Sequence, residues 1–119
     1  MVQDWVKKLN KALGLKLNPE YIQETIKENP ELHYIEYNNG FVLVEQRDLI
    51  FGYSELAVIS WYLEPFTVGG FRKIQSDIYK LAKKLNCKYI KQYSHYNNKF
   101  NRWLSKQGYE PSEYKKEVV

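Results

Sequence analysis

The stretch ELAVISWYLEPFTVGGFRKIQSDIYKLAKKL, Glu55–Leu85, decides the fold. Its first half, Leu56–Leu63, is a nearly unbroken apolar run rich in β-branched and aromatic residues. Such a run predicts a central strand covered on both faces. Pro65 ends it, because proline cannot donate to a strand ladder. Gly69-Gly70 is read as a turn through positive φ. After it, Phe71, Ile74, Ile78, Leu81, Ala82 and Leu85 recur at helical spacing, with Arg72, Lys73, Lys80, Lys83 and Lys84 between them, which predicts a helix over Phe71–Leu85. A strand that runs through a glycine turn into a helix start exposes unpaired N–H groups and makes an anion site there.

With 119 residues the chain fits one domain, residues 1–119. A hydrophobic content of 44% and an aromatic content of 16% supply a core and exclude wholesale disorder. Asp4, Lys7, Lys8 and Lys11 break any apolar N-terminal run, so no signal peptide is read. No window approaches the ~20 apolar residues of a membrane span, so no membrane association is expected. The single cysteine, Cys87, cannot form an internal disulfide. It reads as a small buried hydrophobe in a reducing, cytoplasmic setting. Charge is divided: residues 1–69 carry 6 Lys/Arg and 10 Asp/Glu, a net −4, and residues 70–119 carry 12 and 4, a net +8. The step falls at the glycine pair. A basic half suits a phosphate-bearing ligand or an acidic protein partner. No nucleic-acid-binding motif accompanies it.

The remaining elements follow in order. Trp5, Val6, Leu9 and Leu13 share a face in a helix over Asp4–Leu13, which Gly14 caps. Asn18-Pro19 starts a second helix, with Asn18 as N-cap, and Pro30 ends it at Asn29. Asn39-Gly40 between His33–Asn38 and Phe41–Gln46 is a hairpin signal. Residues 46–54 read as the connection to the central strand, and His33 as an edge-strand surface residue. Lys88–His95 is a further strand, with Tyr89 and Tyr93 on one face. A short helix led by Asn97 or Asn98 carries Phe100, Trp103 and Leu104 and stops at Gly108. Glu113–Val118 is a last edge strand. The order is α-α-β-β-β-α-β-α-β, and it predicts an α/β (mixed α+β) domain with a twisted sheet of five to six strands.

This order, with the residues at its junctions, resembles the GNAT family of acetyl-CoA-dependent N-acetyltransferases. The resemblance covers Tyr34 to Tyr114. EYNNGFVLVE stands where the family has its second and third strands. ISWYLEP leading to VGGFRKI stands where it has its fourth strand and pyrophosphate loop. NNKFNRWLSKQGYEP looks like its Asn-led fourth helix, closing in Lys-x-Gly-aromatic. The size is similar to that of small GNAT-like proteins of phage genomes.

What the resemblance implies is acetyl transfer from acetyl-CoA to an amine. The cofactor would lie against Leu63, Val68, Gly69, Gly70, Phe71, Arg72, Lys73 and Asn97, its pyrophosphate on the backbone N–H groups of the helix start. Its thioester would lie between the strands Leu56–Leu63 and Lys88–His95. Glu64, at the strand end, is the candidate base, with His95 as the second candidate. Tyr96 or Tyr93 is the candidate proton donor, because the family's usual tyrosine position is Leu104 here. Phe66, Gly69 and Phe71 fall at the three positions of the family's loop pattern, and of these only Gly69 agrees. These departures keep a second reading open: a GNAT-fold protein without catalysis, acting as a binding or structural component, bacterial or phage-associated.

Overall fold

The computed structural model of the protein describes residues 2–49, 52–92 and 115–118. Two helices come first, α1 over Val2–Leu13 and α2 over Pro19–Glu28. Three strands follow: β1 over Leu32–Tyr37, β2 over Gly40–Asp48 and β3 over Ser54–Leu63. Helix α3, Val68–Lys84, leads to β4, Tyr89–Gln92, and β5 spans Lys115–Glu117. The strands form one mixed sheet in the order β1-β2-β3-β4-β5, with β3 at its centre. The β3–β4 pair is parallel and the other three are antiparallel. The expected short helix at residues 97–108 and the outer part of the last strand lie outside the described residues.

Local chemistry sets the first elements. Gly14 has φ +65°, the left-handed conformation that ends a helix. The Asn18 side chain accepts the backbone N–H groups of Glu20 (3.0 Å) and Tyr21 (3.2 Å), and Pro19 occupies the first helical position. Asn29, held extended before Pro30, closes α2.

The β1–β2 hairpin corrects the role assigned to Gly40. Tyr37 pairs with Gly40, so Asn38 and Asn39 form the turn and Gly40 is the first residue of β2. Glycine is needed there for another reason. A Cβ on Gly40 would stand 1.9 Å from the carbonyl oxygen of Tyr62. The strands β2 and β3 meet too closely at that point for any side chain. Strand β2 also runs on through Gln46–Asp48, which the sequence reading had placed in a connection.

The main core lies between the sheet and α3. Val42, Val44, Leu56, Val58, Leu63 and Ile90 of the sheet meet Phe71, Ile74, Ile78 and Ala82 of α3. Cys87 joins this cluster as a buried thiol; burial pushes its pKa up, and Asp48 adds to the shift. The phenolic oxygen of Tyr37 donates to Asp77 of α3 at 2.6 Å, and Lys73 donates to the same carboxylate at 3.1 Å. On the opposite face α1 lies on the sheet through Trp5, whose ring meets Phe41 at 5.9 Å and Tyr62 at 6.1 Å between centroids. Helix α2 buries none of its residues. A groove of about 420 Å³ remains between this helical pair and the sheet.

The expectation of a central strand covered on both faces holds for only half of β3. Glu55–Val58 are all buried, but Ile59 and Ser60 are exposed. The register explains the change. Val58 pairs with Val44 and Ser60 with Leu43, which leaves Ile59 as an extra residue. This is a β-bulge, which bends its strand and interrupts the ladder.

Candidate functional site in the β3–α3 crevice

The bulge falls one residue beyond Val58, which pairs with Gln92, the last described residue of β4. Parallel pairing of β3 with β4 runs from Glu55–Tyr89 to Val58–Gln92. Beyond it, Ser60–Leu63 pair with β2 alone among the described residues. The carboxyl ends of parallel strands are where ligands enter open α/β sheets. Here that end faces the start of α3.

The start of α3 is organised by a residue the sequence reading passed over. Thr67 is the N-cap: its hydroxyl accepts the N–H of Gly70 at 2.9 Å, and its carbonyl accepts that of Phe71 at 3.0 Å. Neither Gly69 nor Gly70 has positive φ; the glycines of that kind are Gly14 and Gly52. The expected glycine turn is therefore the first turn of a helix that begins at Val68, three residues earlier than the apolar spacing implied. The chain reverses through Glu64–Thr67 instead. The two glycines differ in what surrounds them. A Cβ on Gly70 would meet the Thr67 hydroxyl at 2.9 Å and Leu63 at 3.1 Å, whereas a Cβ on Gly69 would meet nothing within 4 Å.

The candidate cofactor residues separate accordingly. Leu63 and Phe71 are core residues, at 6% and 3% exposure. The N–H groups of Gly70 and Phe71 are already engaged by Thr67. Phe71 packs in the core with Ile74 and Ile78. What remains at the tip is Val68 and Gly69, whose N–H groups have no acceptor among the described residues, with Arg72 and Lys73 exposed one turn on. Lys73 is tied to Asp77, while Arg72 extends the basic edge. Beside them Trp61, Phe66 and Phe71 form an aromatic cluster with centroids 5.8–6.3 Å apart, and Phe66 keeps 40% of its surface exposed.

Glu64 follows β3 directly. Its N–H donates to the Asn39 carbonyl at 2.8 Å and its side chain is exposed. His95, Tyr96 and Asn97, with Tyr93 and Leu104, lie outside the described residues. His33 sits on edge strand β1 as expected, but half-buried, and its Nε2 has no hydrogen-bond partner among the described residues. No group of three or more His, Cys, Asp or Glu among the described residues could hold a metal ion.

One polar feature beneath the crevice had no sequence signal. Gln92, the last described residue of β4, donates from Nε2 to Oε1 of Gln75 on α3 at 2.8 Å, and both are buried. The bond ties β4 to α3. Its residues are distant in sequence: the helical spacing puts Gln75 on the apolar stripe with Phe71 and Ile78, but nothing in it marks Gln92 as its partner.

Comparison with protein-family models, with curated proteins and with solved structures finds no match for this chain. No helix among the described residues is long and apolar enough to cross a membrane.

Proposed function

We propose that the protein is a GNAT-like N-acyltransferase that takes acetyl-CoA at the β3–α3 crevice. The observation that carries this reading is the way β3 leads directly into a capped helix start with an open glycine and two N–H groups, those of Val68 and Gly69, without an acceptor among the described residues. A pyrophosphate at that tip gains from the Val68 and Gly69 N–H groups and from the helix dipole. Gly69 supports this reading, because neither its φ nor any neighbouring atom requires glycine there. Arg72 adds positive charge, and the exposed Phe66 ring offers an apolar face to a nucleotide. The acceptor amine would lose its proton to Glu64 or His95.

Isothermal titration with acetyl-CoA tests the binding step. Saturable heat is expected, weakened about tenfold or more in Gly69→Pro. That substitution removes one donor from a first turn, where proline is tolerated. No heat and no rise in melting temperature at millimolar acetyl-CoA would sink the reading. For the chemistry, Glu64→Gln should lower the rate by ~10²–10⁴ with unchanged cofactor affinity, the usual cost of losing a general base. His95→Gln is the competing assignment.

The aromatic cluster favours the second reading, a binding protein on the same fold without catalysis. Trp61 and Phe66 crowd the turn that a pyrophosphate would approach. Acetyl-CoA binding without turnover of any amine would select it.

A further inference from the structure

We propose that the groove between the α1–α2 pair and the sheet is a binding site for a small, uncharged hydrophobic molecule. The inference does not depend on acyl transfer.

The groove is not general looseness of the fold. On the other face of the same sheet, the core side chains close to 0–6% exposure against α3. Here the sheet offers Leu43 and Ile59, the helices offer Leu9, Ile22 and Ile26, and the loop between them offers Leu17. Helix α2 brings apolar residues to the sheet and buries none of them. The gap of about 420 Å³ falls within the ~300–1,000 Å³ typical of ligand pockets. A side chain that would otherwise be sequestered points into it as well. Both residues on the bulged side of β3, Ile59 and Ser60, line the groove opposite Leu43, and Ile59 remains 41% exposed. Without the bulge, alternation would send one of the two to the α3 face.

Charge selects the class of occupant. Among the described residues two charged side chains line the groove, Glu45 and Arg47, and they are paired with each other, with the guanidinium Nε donating to the carboxylate. Each already has its counter-charge. A ligand carrying a net charge would enter an apolar site and lose hydration without gaining a dedicated partner. A neutral molecule with one weak polar group can use the hydroxyls of Thr25 and Ser60 at the wall. The lysines of α1 do not alter this. Lys7, Lys8 and Lys11 are exposed, and Lys8 lies over the Trp5 ring at 4.6 Å.

The probe is N-phenyl-1-naphthylamine, a neutral hydrophobic fluorophore, titrated against the full chain. Saturable one-to-one enhancement is expected. Decanol should displace the fluorophore at concentrations where decanoate and decylammonium do not. Ile59→Trp and Leu43→Trp fill the groove from the sheet side and should each weaken binding at least tenfold. Ile59 is exposed enough for its variant to keep the parent's melting temperature, so lost binding there is not lost folding. The result that overturns the proposal is non-saturable fluorescence, or binding that survives both substitutions. Displacement by decanoate or decylammonium as good as by decanol overturns the neutral-ligand assignment. Light scattering that shows a dimer, dispersed by Ile59→Trp, assigns the groove to a second copy and overturns the site. Acetyl-CoA titrations of the same variants separate this outcome from that of the crevice: the groove can fail while cofactor binding stands, and the reverse.

Discussion

Against α3, Val42, Val44, Leu56, Ile74 and Ile78 are fully buried and interleave across a single layer. Against α1 and α2, the same sheet shows a half-buried Leu43, a 41% exposed Ile59 and a helix with no buried residue. Both faces present apolar side chains of similar size, so composition does not account for the difference. Spacing does. Helix α3 follows β3 through a short turn and precedes its parallel neighbour, so the chain itself draws it onto the sheet. The α1–α2 pair precedes the sheet, and Trp5 of α1 packs on Phe41 and Tyr62. One face carries the stability, and the other has a gap into which something else can fit.

The sharpest test places the same charge on each face. Ile78→Asp puts an unpaired carboxylate into a site at 0% exposure and should cost about 4 kcal/mol or more, a large share of a small domain's stability. Ile59→Asp, on the groove face, should cost less than about 1 kcal/mol, because the carboxylate can reach water. Equal losses in urea melts would show that the groove is closed and the two faces alike.

Next in size is the tether from β1 to α3. Tyr37→Phe removes a hydrogen bond to a charged acceptor and should cost about 1.5–3 kcal/mol. Desolvation pushes the Asp77 carboxyl up, but the Tyr37 hydroxyl and the ammonium groups of Lys73 and Lys80 outweigh it, and its pKa ends below the usual 3.8. A depressed carboxylate stabilises the fold at neutral pH, and that contribution is lost as pH falls below 3.8 towards the folded value. Asp77→Asn should therefore flatten the acid limb of the stability profile. An unchanged acid limb would remove the tether from the account of why α3 is held so closely.

The smallest effects repeat the contrast within one turn. Gly69→Ala faces open space and should stabilise by about 0.4–1 kcal/mol, through lower entropy of the unfolded chain. Gly70→Ala would push against Thr67 and Leu63, and should be neutral or destabilising by up to about 1 kcal/mol. If Gly69→Ala also weakens acetyl-CoA, the open space is used by the ligand.

Much of the architecture was legible, because its signals are local. Asn18-Pro19, Gly14 and Pro30 each act within a few residues, and each does what the sequence implies; the apolar run of β3 gives a central strand, though only half of it is covered on both faces. Misreadings arose where glycine answered to a distant atom. Gly40 looked like a turn residue, yet the Tyr62 carbonyl requires it. Gly69-Gly70 looked like a hinge, yet Thr67 caps a helix that contains both. The candidate site was legible as a region and not in its parts: Val68, Gly69 and Arg72 fall at the crevice, while Phe71 belongs to the core. The Ile59 bulge and the Gln75–Gln92 bond had no pattern to betray them, since both depend on where a second strand or helix comes to rest.

The pinning of α1 by Trp5 bears on time as well as on shape. A helical pair that shares little buried surface with the sheet can detach and return while the strands stay paired. Amide hydrogens of α2 should then exchange with solvent orders of magnitude sooner than those of β2 or β3. Trp5→Ala should hasten α1 and α2 together and leave the sheet's slowest amides nearly where they were. Such opening would give a molecule a route into the groove on the timescale of helix detachment, well before the chain as a whole unfolds.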